Sequence, residues 1–266
     1  MKEIVYEIQE AEDGKTVEQV LRFSKGISLR IFRRLKQQED GLVLSGVRVR
    51  SIDRVHTGDV LKIVLRDMPC ERATLSVPVE KAFENEEVVI YNKPPGMPTH
   101  RSIFHATDTL ENVFAAEYPE LLFRSLNRLD RDTSGLCVVA KNPLAASLLS
   151  KNLRKVYVAV VEGSLQESKG TINLPIEREC PGSLRRKVRE DGKHAITHYQ
   201  VIKTTEQYSL LEIVLQTGRT HQIRVHFSHI GHPLVGDEVY GGNMEKIARQ
   251  ALHCKSICLL YTSRCV

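Results

Sequence analysis

Short apolar segments with the character of β-strands recur along most of this chain, and they outnumber the helical patterns without alternating with them. These segments occupy residues 60–65, 87–91, 136–140, 156–161, 196–202 and 208–215. Regular alternation of strands and helices would predict a parallel sheet, so its absence predicts an α+β fold whose sheet is mainly antiparallel. With 266 residues, the chain is long enough for two modest domains.

Two helices are predicted near the N-terminus. Thr16 has the position of a cap for a short helix over residues 16–24, and Ser28 has the same position before a second helix. The residues of the second helix expected to face the core are Leu29, Phe32 and Leu35. Its outward face would carry the basic residues Arg30, Arg33, Arg34 and Lys36.

A domain boundary is predicted after this helical pair. Residues 41–49 alternate around a central glycine as a β-hairpin does, which completes a small unit over residues 13–67. Residues 68–79 contain two prolines and show no periodicity, as is typical of a linker. A larger domain is expected over residues 80–257, followed by a tail at 258–266.

The larger domain is predicted to contain three helices. Asp108 is the expected cap of the first, and Asn142 caps the second with Pro143 in its first turn. Thr220 is the expected cap of a third helix over residues 220–230, where the N-terminal amides would favour an anion.

The basic residues are concentrated in two places. Residues 22–50 carry eight basic and two acidic side chains, a net charge of +6, against +5 for the whole chain. Residues 178–193 add a second cluster with a net charge of +3. Two such clusters favour contact with a polyanion, although a solvated surface explains a single cluster equally well.

Composition excludes several classes of protein. Hydrophobic residues make up 41% and charged residues 27%, which is normal for a globular chain. No apolar run approaches the ~18 residues of a membrane span, and the acidic first residues do not resemble a secretory leader. The six cysteines form no C-x-x-C pair, so we expect reduced thiols in a cytoplasmic protein.

Residues 127–135 form the densest polar segment, with two carboxylates, two guanidiniums and two hydroxyls directly before a predicted strand. A polar loop at a strand edge can present a carboxylate to a ligand, and flanking arginines would keep that carboxylate ionised. An ordinary turn of Asp, Thr, Ser and Gly fits the same letters, so the spacing alone identifies no reaction.

A second polar segment covers residues 217–226. From the helix predicted there, Arg224 could reach a carboxylate on a neighbouring loop. The four histidines in or near this segment are His221, His226, His229 and His232. Their spacing does not match a metal-binding helix face and no acidic or thiol ligand clusters with them, so structural roles are favoured and no metal is expected.

Five segments together resemble the RluA family of RNA pseudouridine synthases, in the family's order. The segments are VVIYNKPPGMPTH at 88–100, NRLDRDTSGLCVVAK at 127–141, KVYVAVVEG at 155–163, TGRTHQIRVH at 217–226 and RQALH at 249–253. The resemblance implies a pseudouridine synthase domain with a central cleft and no cofactor, because the product contains the same atoms as the substrate.

The resemblance also implies roles for individual residues. Asp130 would be the catalytic aspartate and Arg224 the arginine that pairs with it. Tyr157 would pack against the target base and could help to remove the proton from carbon 5. Arg128 would enter the RNA where the flipped base leaves, and Leu215 would line the uracil pocket.

Residues 13–67 resemble an S-four-type RNA-binding module, a small αα-hairpin domain. That likeness implies RNA contacts from Arg30, Arg33, Arg34 and Lys36. The second basic cluster, with Arg185, Arg186 and Lys187, is expected to form a loop that closes on RNA across the cleft. We expect a monomer whose partner is RNA, most often large-subunit ribosomal RNA in such relatives, with transfer RNA as an alternative.

Two other functions remain open at this point. One is a catalytically silent RNA-binding protein, which an intact set of Asp130, Tyr157 and Arg224 disfavours. The other is a glycoside or nucleoside hydrolase, which would need a second carboxylate as acid and base. Asp132 is two residues from Asp130 and would point elsewhere if the loop is extended.

The sequence departs from the family pattern at two places. Asn127 stands where the family usually has histidine, which leaves the local hydrogen-bond network in question although activity is expected to survive. Residues 258–266 lack the family's final strand, proline turn and helix, and one hypothesis is that they are translated from a sequencing adapter. Recovery of these codons from genomic DNA would refute that hypothesis.

Overall fold

The structure is a computed structural model that describes residues 2–66, 72–150, 153–259 and 264–265. The strands are β1 (Lys2–Glu7), β2 (Leu42–Leu44), β3 (Val47–Arg48), β4 (Val60–Leu65), β5 (Lys81–Glu84), β6 (Val88–Lys93), β7 (Ser134–Ala140), β8 (Leu153–Glu162), β9 (Lys169–Asn173), β10 (Ile176–Arg178), β11 (Arg186–Val188), β12 (Ile196–Thr204), β13 (Tyr208–Leu215), β14 (Leu252–Leu259) and β15 (Arg264–Cys265). The α-helices are α1 (Val17–Gln19), α2 (Leu29–Gln37), α3 (Leu110–Glu117), α4 (Pro143–Leu149) and α5 (Gln222–His229).

The N-terminal unit has the helical pair and the hairpin predicted from sequence. The Thr16 and Ser28 hydroxyls accept hydrogen bonds from the backbone N–H groups of Gln19 and Ile31, which caps α1 and α2. Residues 20–24 continue from α1 as a wider π-type turn. The predicted hairpin turns at Ser45 and Gly46, both with positive φ, as a tight two-residue turn requires.

Two details of this unit differ from prediction. Leu29 is 39% exposed, whereas Phe32 and Leu35 are buried as predicted and Ile31 is buried with them, because the buried stripe of α2 runs through positions 31, 32 and 35. In addition, β1 pairs with β4 in a four-stranded sheet of order β1-β4-β2-β3. The unit therefore includes residues before the predicted start at 13.

The predicted linker at 68–79 falls partly on residues 67–71, which lie outside the described part of the chain. Its later residues belong to the larger domain. Leu75 donates its backbone N–H to the carbonyl of Asn112, and the Asn112 side chain donates to the carbonyl of Ala73. Val79 is buried in the same apolar cluster as α3.

A nine-stranded sheet forms the larger domain, with the order β5-β6-β7-β14-β8-β13-β12-β9 and β15 paired to β14. Of its described strand pairs, β7 with β14 is parallel and the others are antiparallel. The predicted α+β class with a mainly antiparallel sheet is confirmed. The strand predicted over residues 208–215 has those bounds.

β14 enters the sheet between β7 and β8 and joins its two halves. Where β14 passes β7, Gly135 has φ of +109°, and a Cβ there would lie 2.3 Å from the backbone oxygen of Cys254. Any larger residue at this position would push the strands apart, so the close approach requires glycine.

The helices of this domain pack on the sheet. Asn142 caps α4 as predicted, with its side chain accepting from the backbone of Ala145. The cap of α3 is Thr109 rather than Asp108, because the Thr109 hydroxyl and Asn112 bond each other's backbone in a capping box. Asp108 instead bonds His105, at 2.7 Å.

Within the described residues, no helix is long and apolar enough to cross a membrane. Of the tail at 258–266, residues 260–263 and 266 lie outside the described part of the chain, so the hypothesis about its origin stays untested.

Candidate active site

The loop that carries Asp130 is fixed to its surroundings through backbone groups. The Thr99 hydroxyl both donates to the carbonyl of Leu129, at 2.9 Å, and accepts from its N–H, at 3.1 Å. The N–H of Thr133 donates to the carbonyl of Asp130 at 3.1 Å, which closes the turn. The loop leads directly into β7, so the position of Asp130 is tied to the sheet.

Lys93, the last residue of β6, is fully buried beneath this loop. Its ammonium donates to the carbonyls of Pro94, Met97 and Arg131, at 2.8, 2.7 and 3.0 Å. Burial lowers the pKa of Lys93 to about 8, against an ordinary value of 10.5. One side chain thus holds two loops together, one of which carries Asp130.

Arg224 lies between two carboxylates. Its Nη1 donates to Asp130 Oδ2 at 3.0 Å, while Nε and Nη2 donate to the two oxygens of Asp237 at 2.7 and 2.8 Å. The side chains of Arg224 and Asp237 are 7% and 1% exposed, whereas that of Asp130 is 25% exposed. Burial alone would lower the pKa of Arg224, but these bonds raise it above its ordinary value. Asp237 therefore orients Arg224, and Arg224 orients Asp130.

His221 and Tyr240 complete the surroundings of Asp130. His221 Nε2 lies 3.9 Å from Asp130 Oδ2, and Nδ1 lies 2.8 Å from the Tyr240 hydroxyl. The Tyr240 ring also lies beneath the Arg224 guanidinium, 4.9 Å from its centroid. Burial lowers the pKa of His221, so its imidazole is neutral at pH 7.

Asp130 faces an open cleft with a volume of about 600 Å³. Tyr157 lies almost buried in its wall, and Lys155, two residues earlier on β8, shares that wall together with Leu215. Burial raises the pKa of Tyr157 far above the ordinary value, so its hydroxyl stays protonated at neutral pH. The cleft therefore presents an aromatic ring, an ammonium and a carboxylate to a ligand.

The family model for RNA pseudouridylate synthase matches residues 87–229, which contain Asp130, Tyr157 and Arg224. The chain belongs to this family. It is an RNA pseudouridine synthase, an isomerase, and the RluA-family assignment from the motifs is confirmed. The family match begins at residue 87, so the S-four-like nature of the N-terminal unit stays a prediction.

Relatives cover nearly all of the synthase. An uncharacterised RNA pseudouridine synthase of Bacillus subtilis (strain 168) is 36% identical over 94% of this chain and 86% of its own. Ribosomal large subunit pseudouridine synthase D of Xylella fastidiosa is 36% identical over 84% of this chain and 74% of its own. Among solved structures, human RNA pseudouridylate synthase domain containing 1 superposes with a TM-score of 0.60 and 28% identity, over 71% of this chain and 81% of its own.

The predicted RNA-binding residues of the synthase occupy two surfaces. Arg128 is exposed at the cleft, and Arg186 lines it together with Lys193. Lys187 is exposed nearby, and the Arg185 guanidinium lies 5.8 Å from the centroid of the Tyr240 ring. The second surface is α2, on which Arg30, Arg33 and Lys36 are exposed and Arg34 is half-buried.

The structure corrects one sequence expectation about the synthase site and completes another. The cap of α5 is His221 rather than Thr220, because residues 219–221 form a turn held by Gln222, whose Oε1 accepts from the Arg219 N–H at 2.9 Å. No side chain caps the N-terminal amides of α5, and the expected preference of these amides for an anion stays a prediction. Asn127 is buried and bridges β7, donating to the carbonyl of Leu136 and accepting from the N–H of Val138.

Four contributors to the synthase site were not predicted as such: Lys93, His221, Asp237 and Tyr240. All four residues can be read in the sequence, and Lys93, His221 and Asp237 lie inside or next to the family motifs. Apart from Pro94 and Met97, which lie close to Lys93 in the sequence, their partners are 13 or more residues away, so no local pattern could show those contacts. Within the described residues, no three His, Cys, Asp or Glu side chains are grouped to hold a metal ion.

Proposed function

We propose that this synthase isomerises uridines of large-subunit ribosomal RNA, with Asp130 as its catalytic residue. The observation that carries the proposal is the Asp130 carboxylate, held by Arg224 at 3.0 Å and open to the cleft. The ribosomal substrate is supported by relatives named ribosomal large subunit pseudouridine synthase D, in Xylella fastidiosa and, at 35% identity, in Pseudomonas aeruginosa. Such a substrate would place the enzyme in the cytoplasm, where we expect it to act as a monomer.

The reaction breaks the bond between ribose C1′ and N1 of uracil and forms a bond from C1′ to C5. The proton lost from C5 is balanced by the proton gained at N1, so no other reactant is consumed. An ionised aspartate can attack the sugar or the ring, or stabilise charge that develops there. Arg224 holds the carboxylate in place at the cleft for any of these routes.

Tyr157 has the place of a wall for the extruded uracil. Because its hydroxyl retains its proton, packing against the base is the role that its environment supports, rather than removal of the proton from C5. Arg128, exposed at the mouth, is placed to fill the space that the flipped base leaves. Removing a base from its stack costs a few kcal/mol, which such contacts offset.

The hydrolase alternative lacks a suitable second carboxylate from the same loop. Asp132 bonds the neighbouring guanidinium of Arg131, at 3.0 Å, and does not line the cleft. Asp132 therefore offers a matched control for Asp130.

The test compares Asp130→Asn with Asp132→Asn on ribosomal RNA from a strain that lacks this gene. Pseudouridine has the same mass as uridine, so it is measured by mass spectrometry after derivatisation with a carbodiimide, and RNA binding is measured by filter retention. We expect Asp130→Asn to lose activity at least about a thousandfold while binding RNA as the wild type does, because the change removes one charge from the reacting centre alone. Asp132→Asn should remain active.

Activity of Asp130→Asn comparable with the wild type would contradict the catalytic assignment. Transfer RNA from the same strain is assayed in parallel. Pseudouridine formed there and not in ribosomal RNA would replace the proposed substrate and leave the role of Asp130 intact.

A further inference from the structure

The hairpin made by β10 and β11, called here the cleft hairpin, touches both the cleft and the site. Its residues Ile176 and Arg186 line the cleft. Behind the cleft, Ile176 and Val188 pack in a small apolar cluster with Val225 of α5 and with Tyr240. A movement of the cleft hairpin would therefore change the position of Tyr240.

A chain of hydrogen bonds leads from the cleft hairpin towards Asp130. The backbone N–H of Arg186 donates to the Tyr240 hydroxyl oxygen at 2.9 Å. Tyr240 is buried, and its own hydrogen needs an acceptor, which His221 Nδ1 provides at 2.8 Å. Because Nδ1 of a neutral imidazole then accepts, Nε2 carries the hydrogen, and Nε2 faces Asp130.

His221 is held in an uncommon backbone conformation. Its φ of +57° lies in the left-handed region, where residues other than glycine are rare. Strained backbone of this kind persists where the surroundings determine it, and it is concentrated at functional sites. The conformation places the imidazole between Tyr240 and Asp130.

The series of hydrogen bonds from the cleft hairpin towards Asp130 is incomplete at both ends. The separation of 3.9 Å between His221 Nε2 and Asp130 Oδ2 is longer than a hydrogen bond. At the other end, Arg186 Nε is withdrawn from solvent and has no hydrogen-bond partner within the described residues. This Nε–H lies beside the cleft and is available to a phosphate or base oxygen of RNA.

We propose that Arg186, Tyr240 and His221 form a relay through which the cleft hairpin, on engaging RNA, brings the His221 Nε2–H onto the Asp130 carboxylate. The relay rests on the proposed function, since it acts on the same aspartate. Catalytic hydrogen bonds are commonly long before substrate binds and shorten in the complex. Tyr240 and His221 are positioning residues, and they make turnover depend on whether RNA reaches the cleft hairpin.

Tyr240→Phe is the direct test, because it deletes the hydroxyl and keeps the ring beneath Arg224. Two substrates are compared. One is ribosomal RNA from the strain lacking the gene, and the other is a short RNA that contains the target uridine but lacks the flanking nucleotides that would reach the cleft hairpin. On ribosomal RNA, we expect kcat to fall about tenfold with KM unchanged, the effect of one lost hydrogen bond in the transition state. On the short RNA, wild type and Tyr240→Phe should be equally slow.

Tyr199→Phe is the matched control, since it removes a tyrosine hydroxyl that lies over Gly170 in β9, far along the sheet order from Asp130. It should turn over both substrates like the wild type. Thermal unfolding of both variants checks that the fold is kept. Equal kcat for Tyr240→Phe and wild type on ribosomal RNA, or an equal loss on both substrates, would overturn the relay.

A measurement independent of turnover covers the case in which ribosomal RNA is not the substrate. The ¹⁵N shifts of the His221 imidazole report its tautomer, and we expect hydrogen on Nε2 in the wild type and a mixture in Tyr240→Phe. Addition of poly-uridylate should shift Nε2 in the wild type only. Hydrogen on Nδ1 in the wild type, or no response to poly-uridylate, would exclude the relay whether or not ribosomal RNA is modified.

Discussion

The synthase uses basic side chains in two contrasting settings. On α2, Arg30, Arg33 and Lys36 project into solvent from a helix whose other face is buried. In the active site, Arg224 is almost completely enclosed, and all of its bonds run to two carboxylates. The three exposed residues can contact phosphates in many geometries, whereas Arg224 can bind its carboxylates in only one geometry.

The exposed residues would contribute affinity for RNA, whereas the enclosed arginine fixes the geometry of the active site. Exposed cations release counterions from RNA and contribute binding that salt weakens. An enclosed guanidinium is screened little by salt, and its contribution is the direction in which it holds its partner. Charge on α2 should therefore be exchangeable among positions, while Arg224 and its carboxylates should not be.

The largest effect is expected from Asp237→Asn, which removes one of the two carboxylates that hold the enclosed Arg224. It leaves the Arg224 guanidinium buried with one carboxylate, so we expect a loss of about 3 kcal/mol in the free energy of unfolding and a severe loss of turnover. Urea denaturation and pseudouridine formation measure the two. Glu18→Gln breaks the half-buried surface pair with Arg22 and should cost no more than about 1 kcal/mol. Similar losses for both variants would remove the distinction.

Lys93 sharpens the comparison through pH, because its ammonium is buried without a carboxylate bonded to it. Its pKa is about 8 in the folded protein, against 10.5 when exposed. The unfolded chain therefore binds more protons between these values, and stability from this group rises as pH increases from 8 to 10.5, by up to about 3 kcal/mol. The groups that face it electrostatically are Cys137, Asp132, Asp130 and Arg249.

The measurement for Lys93 is urea denaturation at several pH values for wild type, Lys93→Met and Lys93→Arg. Neither variant has a group at this position that titrates in the range. The free energy of unfolding of the wild type should thus rise relative to both variants from pH 8 to 10.5. Parallel curves would show that the lysine has an ordinary pKa.

The smallest effect is expected from the triple variant Arg30→Gln, Arg33→Gln and Lys36→Gln. We expect weaker RNA binding, with the slope of log affinity against log salt reduced by about 2 to 3, and unchanged kcat and stability. Filter binding at several salt concentrations measures the slope. An unchanged slope would show that α2 does not contact RNA.

Local signals predicted much of the fold. Helix caps at Thr16, Ser28 and Asn142 are set by a hydroxyl or amide three residues before a backbone N–H, and all three are present. Strands with uninterrupted apolar letters, such as residues 208–215, were equally recognisable. The cap of α5 was predicted one residue too early. The turn before α5 is held by Gln222, whose side chain donates to Ile196 and Thr197 on β12, and this contact is distant in the sequence.

The active site was predictable only where the family motifs carried it. Asp130 and Arg224 were expected to meet, and the structure brings them together across 94 residues of sequence. Asp237 follows the helix in a segment that gave no sign of its contact with Arg224. Lys93 lies just after the strand predicted over residues 87–91, and its role was missed because its three acceptors are backbone carbonyls, which the sequence does not show.

The insertion of β14 between β7 and β8 bears on when the enzyme can begin to act. Asp130 precedes β7 and Tyr157 stands on β8, so both are synthesised roughly a hundred residues before the strand that joins their half-sheets. In a growing chain, Asp130 and Tyr157 therefore lie on half-sheets that are not yet joined. The cleft between them is completed only late in translation, after the chain has passed residue 252.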